Sequence, residues 1–181
     1  MGCGSNRPGQ QTRFIRVALI GQRQAGKTAL ISSFLEQRFE AAYESEQSPS
    51  IAVKTYYCGD TVTTLEVWEL RESTYLPTGT SHAVVAVDCT QPVSLVQDQV
   101  TQLKTVHGFS NFAVAVTKAD LLPDSQAEDF LADLRKTLDL PDNIRIHLTS
   151  AQLGTGVREL FLASLRPSPL TQSGTTGSEA L

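Results

Sequence analysis

Eight consecutive residues, Gly21, Gln22, Arg23, Gln24, Ala25, Gly26, Lys27 and Thr28, fit the pattern G-x-x-x-x-G-K-[ST]. The chemistry this spacing offers is phosphate binding. Glycines let successive backbone N–H groups curl around anionic oxygens, and a helix opening at the end of the loop adds the positive end of its dipole. Lys27 would reach the β- and γ-phosphates of a nucleotide, and the Thr28 hydroxyl would ligate Mg²⁺. A second group closes an apolar run: Thr117, Lys118, Ala119 and Asp120. Thr149, Ser150 and Ala151 close another. A carboxylate such as Asp120 can accept from two neighbouring N–H donors of a ligand at once.

These residues need strands that end at one edge of a sheet. The run 14–20 suits a buried strand that feeds the phosphate loop, and 27–38 has helical character. Residues 51–58 and 61–70 alternate apolar and polar side chains around Gly59 and Asp60, which predicts a hairpin. The runs 82–88 and 111–117 are continuously apolar between polar ends (His82 and Asp88, Asn111 and Thr117), as in parallel strands covered on both faces. A helix follows each: Val93, Val96, Val100 and Leu103 form one stripe, and Phe130, Leu131, Leu134 and Leu138 another. Ser125 and Glu128 have the spacing of a capping box for the second helix, and Pro141 bars its continuation. A short strand over 144–148 and a helix carrying Val157, Leu160, Phe161 and Leu165 complete the pattern. Alternating strands and helices predict an α/β fold, with the hairpin as its antiparallel edge. Residues 1–12 read as a flexible arm, 13–166 as one domain and 167–181 as a disordered tail.

With the phosphate loop, the Thr-Lys-Ala-Asp segment and the Ser-Ala turn in this order, the sequence resembles the Ras-like small GTPase superfamily (Rab- and Arf-like). Residues 154–161 also look like the start of that family's last helix. The resemblance implies a P-loop, three-layer sandwich on a mostly parallel six-stranded sheet with one antiparallel edge strand. It implies GTP or GDP with Mg²⁺, held by residues 21–28, Thr117, Lys118, Asp120, Ser150 and Ala151. Thr28 and Ser50 would supply the metal hydroxyls, Ser50 because Ser48, Pro49, Ser50 and Ile51 resemble the family's Pro-Thr-Ile; Ser48 competes for the role. The family also carries D-x-x-G, usually followed by Gln, after its third strand. Here Val67 and Trp68 are in register, but Glu69, Glu72 and Ser73 stand where Asp, Gly and Gln are expected. Glu69, one methylene longer, keeps oxygens for a magnesium-bound water. Glu72 puts bulk and charge where glycine lets a backbone N–H approach the γ-phosphate. No residue is assigned a catalytic role, and hydrolysis is expected to be slow or absent. The competing expectation is a pseudo-GTPase scaffold, with static nucleotide or none.

The chain has 181 residues, 40% hydrophobic and 19% charged, enough for one packed domain. Its net charge of −4 argues against a nucleic-acid partner. The charge is uneven. Arg7, Arg13, Arg16, Arg23 and Lys27 precede the first acid; from Glu36 on, ten basic residues face nineteen acidic ones. Met1, Gly2 and Cys3 suggest myristoylation of Gly2 and palmitoylation of Cys3, although Asn6 departs from the M-G-x-x-x-[ST] pattern. Arg7, Arg13 and Arg16 would then face an anionic leaflet. No cysteine lies near the C-terminus to carry a prenyl group. The expected place is a cytosol-facing membrane surface, with protein effectors and regulators as partners. No window approaches the roughly 20 apolar residues of a membrane span. Cys58 and Cys89 are expected to pack, and His82, His107 and His147 form no constellation.

Overall fold

The computed structural model describes residues 11–36, 50–70, 76–109 and 112–165. Among these residues six strands form one sheet: β1 (Gln11–Gly21), β2 (Ser50–Cys58), β3 (Thr61–Glu69), β4 (Thr80–Asp88), β5 (Phe112–Thr117) and β6 (Arg145–Leu148). Their order is β2-β3-β1-β4-β5-β6. Only the β2–β3 pair is antiparallel, joined by the turn at Gly59 and Asp60. The helices are α1 (Lys27–Glu36), α2 (Gln97–Thr105), α3 (Asp124–Thr137) and α4 (Val157–Ala163).

Alternation along the buried strands sends side chains to both faces, so each face needs its own cover. Val17, Leu19, Leu65, Val67, Val84, Ala86 and Ala115 pack with Leu30, Ile31 and Phe34 of α1 and Leu160 and Phe161 of α4. Ala18, Ile20, Val85, Val87, Val114 and Val116 pack with Val100 and Leu103 of α2, Leu134 of α3 and Leu138, which follows α3. The α/β, three-layer reading of the sequence therefore holds.

Three details differ from expectation. First, β1 reaches back to Gln11, whose N–H donates to the Asp60 carbonyl at 2.8 Å. Second, the capping box at Ser125 does not form. Pro123 fixes its own φ at −62°, α3 opens at the next residue, and no side chain caps it. Ser125 thus lies inside the first turn, where Asp124 meets the positive end of the helix dipole. Third, Arg16 does not belong with the basic arm. Its Nε donates to Glu66 Oε2 at 2.9 Å, its guanidinium lies 5.0 Å over the Trp68 ring, and Nη1 donates to the Thr78 carbonyl. Parallel pairing sets Arg16 beside Glu66, which is why the pair forms. The Arg16 hydrogen bond, helped by the Trp68 indole N–H, holds the Glu66 carboxyl below its usual range.

Candidate functional site

The site is assembled where β1, β3, β4 and β5 end. At the end of β1, a Cβ on Gly21 would lie 2.5 Å from the Ala86 carbonyl oxygen of the neighbouring strand, so only glycine fits. The chain then turns through Gln24 (φ +62°) and Gly26 (φ +78°) into α1, whose Leu30 N–H bonds Gly26 O at 2.9 Å. Lys27 folds back over this loop: Nζ donates to the Gly21 and Gln22 carbonyls, both at 2.8 Å, and the residue is only 6% exposed. The Gln22 amide donates to the Leu95 carbonyl and ties the loop to the 3-10 turn (Val93–Val96) before α2. Arg23 and Gln24 are exposed at the rim.

Beside the loop, Thr28 donates to Glu69 at the end of β3. Its Oγ1 lies 2.9 Å from Oε1 and 3.0 Å from Oε2. Glu69 itself is only 5% exposed. A hydroxyl and a carboxylate next to a phosphate loop are hard oxygen donors of the kind Mg²⁺ takes alongside nucleotide phosphates and waters. The residues therefore fit the cation, and Thr28 and Glu69 would hold it. When bound, Mg²⁺ neutralises phosphate charge and fixes the phosphate oxygens. Ser50 opens β2, and its backbone stands opposite Glu69 in the antiparallel ladder.

The second loop is fastened to the first. Thr117 Oγ1, 2% exposed, lies 2.8 Å from the Ala25 carbonyl and 3.2 Å from that of Val87. Lys118 adopts a left-handed backbone, φ +54°, and its Nζ meets Asp88 Oδ2 at 2.5 Å. Burial pushes the Asp88 carboxyl up. Hydrogen bonds from Lys118 and from the Thr90 hydroxyl and N–H, with the Lys118 charge, outweigh that and leave it below the usual range. Cys89 Sγ donates to the Lys118 carbonyl at 3.0 Å, while burial and then Asp88 and Asp120 push its thiol up. Asp120 is exposed on the turn that follows.

The third loop closes against the second. Ala119 N–H donates to the Thr149 carbonyl at 3.0 Å, and Thr149 Oγ1 donates to the Val116 carbonyl at 2.9 Å. Ser150 Oγ accepts from Leu153 N–H at 3.1 Å and shapes the turn that presents Ala151. A cavity of about 660 Å³ opens beyond it, lined by Phe34, Lys54, Tyr56, Leu153 and Arg158. Of the residues assigned to the site from sequence, only Ala151 borders it.

The structure thus brings together residues 21–28, Thr117, Lys118, Asp120, Ser150 and Ala151 around one edge of the sheet. Gly2, Cys3, Ser48, Glu72 and Ser73 lie outside the described residues. Two partnerships were missing from the sequence reading: Glu69 with Thr28, and Asp88 with Lys118. The available signal was an acid ending each of two strands.

Residues 16–168 match the sequence profile of the Ras family. That span takes in all three loops and the four helices packed behind them. The chain belongs to the Ras family, a family of small GTP-binding proteins.

Proposed function

We propose that the chain binds GTP and GDP through the three loops, acts by binding protein partners at a cytosol-facing membrane, and hydrolyses GTP slowly or not at all. The observation that carries the nucleotide reading is the Thr117 hydroxyl on the Ala25 carbonyl. It holds the guanine-reading segment and the phosphate loop at a fixed separation. Residues 21–28 would cradle the phosphates, Lys118 and Asp120 would flank and read the base, and Ser150 and Ala151 would support it. Thr28 and Ser50 would hold Mg²⁺ together with Glu69.

Slow hydrolysis follows from Glu72 and Ser73, which stand where the family has its glycine and its water-positioning Gln. An arginine supplied by a partner is worth roughly 10³–10⁵-fold in such reactions, so the unaided protein lacks both contributions. Membrane attachment rests on Gly2 and Cys3. A single myristoyl chain gives only marginal binding, on the order of 10⁴ M⁻¹, so the second acyl chain and Arg7 and Arg13 matter.

A scaffold with static nucleotide is the second reading. The engagement of Thr28 by a glutamate, where the family has aspartate, favours it. Titration of labelled GDP and a non-hydrolysable GTP analogue separates the two. The first reading expects tight binding of both, loss in Lys27→Ala, and different proteolysis patterns for the two complexes. Equal binding with identical patterns supports the scaffold; no binding overturns the nucleotide reading. Turnover at the rate of an ordinary family member overturns the hydrolysis claim.

A further inference from the structure

The family's aspartate at the end of the third strand is a glutamate here, and its placement alters what the metal site can be. Glu69 directs both carboxylate oxygens at Thr28 Oγ1, 2.9 and 3.0 Å away, and the side chain is almost fully buried. Mg²⁺ holds its oxygens at about 2.1 Å in an octahedron, so two neighbouring ligands lie about 3.0 Å apart. The separation between Thr28 Oγ1 and either Glu69 oxygen equals that edge. One carboxylate oxygen can therefore share a cation with Thr28 while the other keeps the Thr28 hydrogen bond. An aspartate is one methylene shorter and would leave room for a water between carboxylate and ion.

We infer that Glu69 ligates the nucleotide-associated cation directly, in place of a water, and that this shifts the site's preference from Mg²⁺ towards Mn²⁺. The inference rests on the nucleotide reading above. Mg²⁺ gives up its waters reluctantly, whereas Mn²⁺, also suited to carboxylate oxygen, exchanges them more readily. A site that replaces a water by a buried carboxylate therefore disfavours Mg²⁺ relative to one that keeps the water. Residues 71–75, which follow Glu69, need take no part in this.

The test uses the full chain loaded with GDP and Mn²⁺. Electron paramagnetic resonance in ¹⁷O-enriched water counts the waters on the ion from the broadening of its lines. Wild type is expected to carry one water fewer than Glu69→Asp, and its Mn²⁺-over-Mg²⁺ preference is expected to exceed that of Glu69→Asp by about tenfold. Equal water counts in the two proteins overturn the inference and leave the nucleotide reading standing. If Mn²⁺ shows no change of spectrum when GDP is added, the nucleotide reading falls with it. Should Glu69→Asp not fold, ¹³C-carboxyl glutamate incorporated into a Glu72→Gln chain decides the matter. Direct ligation places the labelled carbon about 3 Å from Mn²⁺ and gives a strong coupling; a water-mediated contact places it roughly 4–5 Å away, and that weaker coupling overturns the inference.

Discussion

Replacing Thr117 by valine removes one oxygen and keeps a β-branched side chain of nearly the same shape, suited to a strand. The hydroxyl has one hydrogen to give. Ala25 O at 2.8 Å is its principal acceptor, and Val87 O at 3.2 Å shares it weakly. The loss is therefore that of one buried hydrogen bond, not two. Both Thr117 and Ala25 are 2% exposed, so the orphaned carbonyl has no access to solvent. The cost of leaving such an acceptor unmade is about 1–3 kcal/mol. The phosphate loop would also lose its tether to the segment 117–120, so on the proposed reading the same energy is expected in nucleotide affinity, roughly 5–150-fold. Urea unfolding of nucleotide-free protein gives the first quantity, and GDP titration the second. Thr105→Val is the control, because that hydroxyl bonds the Thr101 carbonyl on an exposed helix face and is expected to cost little. If Thr117→Val unfolds at the wild-type urea concentration and binds GDP as tightly, the tether carries no energy and the reasoning is wrong.

Other outcomes follow from single contacts. Gly21→Ala forces a methyl against the Ala86 carbonyl and is expected to cost about 3 kcal/mol in urea unfolding, with loss of GDP binding; an unchanged midpoint would contradict it. Arg16→Ala should cost about 1 kcal/mol from the partly buried Glu66 pair and the Trp68 contact, yet leave flotation with anionic vesicles unchanged. Arg13→Ala should weaken that flotation in the acylated protein by about 1 kcal/mol, and equal losses for the two would return Arg16 to the membrane arm. Stability is expected to fall in two stages on acidification. Burial holds His82 and His147 below the ordinary value of 6.5, so below that pH the unfolded chain binds more protons and stability declines. Asp88 and Glu66 titrate below their ordinary 3.8 and 4.5, so their contribution, present above those values, is lost as pH drops through the folded-state values. His147→Leu should flatten the upper stage of a pH series of urea melts while leaving the lower stage in place.

The strands that position the site could be read from the sequence because burial on both faces leaves an unbroken apolar run, as in residues 83–87. The phosphate loop could be read because its glycines answer backbone demands that no other residue meets. Gly21 abuts a neighbouring strand, and Gly26 sits at a positive φ. The contacts that tie the site together have no local signature. Thr117 meets Ala25 across 92 positions, Glu69 meets Thr28 across 41 and Lys118 meets Asp88 across 30. Each depends on which strands become neighbours. Arg16 illustrates the same limit. Counted along the chain it joins a basic N-terminal cluster, but the β1–β3 register places it beside Glu66, and that pairing decides its role. At Ser125 the failure was local: a capping pattern was overridden two residues upstream by proline, whose fixed φ starts the helix earlier.

The two halves of the site are held by different forces, and this bears on what the departures at residues 69–73 can change. The link between the phosphate loop and the segment 117–120 is a neutral hydroxyl on a carbonyl, buried and therefore indifferent to salt. The third loop joins the second through a backbone N–H and another buried threonine hydroxyl. None of these bonds involves Glu69, Glu72 or Ser73. The proposed cation side, by contrast, would depend on Thr28 and Glu69, whose bond runs between α1 and the end of β3. On the proposed reading, substitutions at the end of β3 and beyond it would therefore alter metal geometry and hydrolysis while these bonds stay in place. On the same reading, a chain that keeps Lys27, Thr117 and Asp120 while replacing the family's aspartate, glycine and Gln would separate retention of the nucleotide from its turnover.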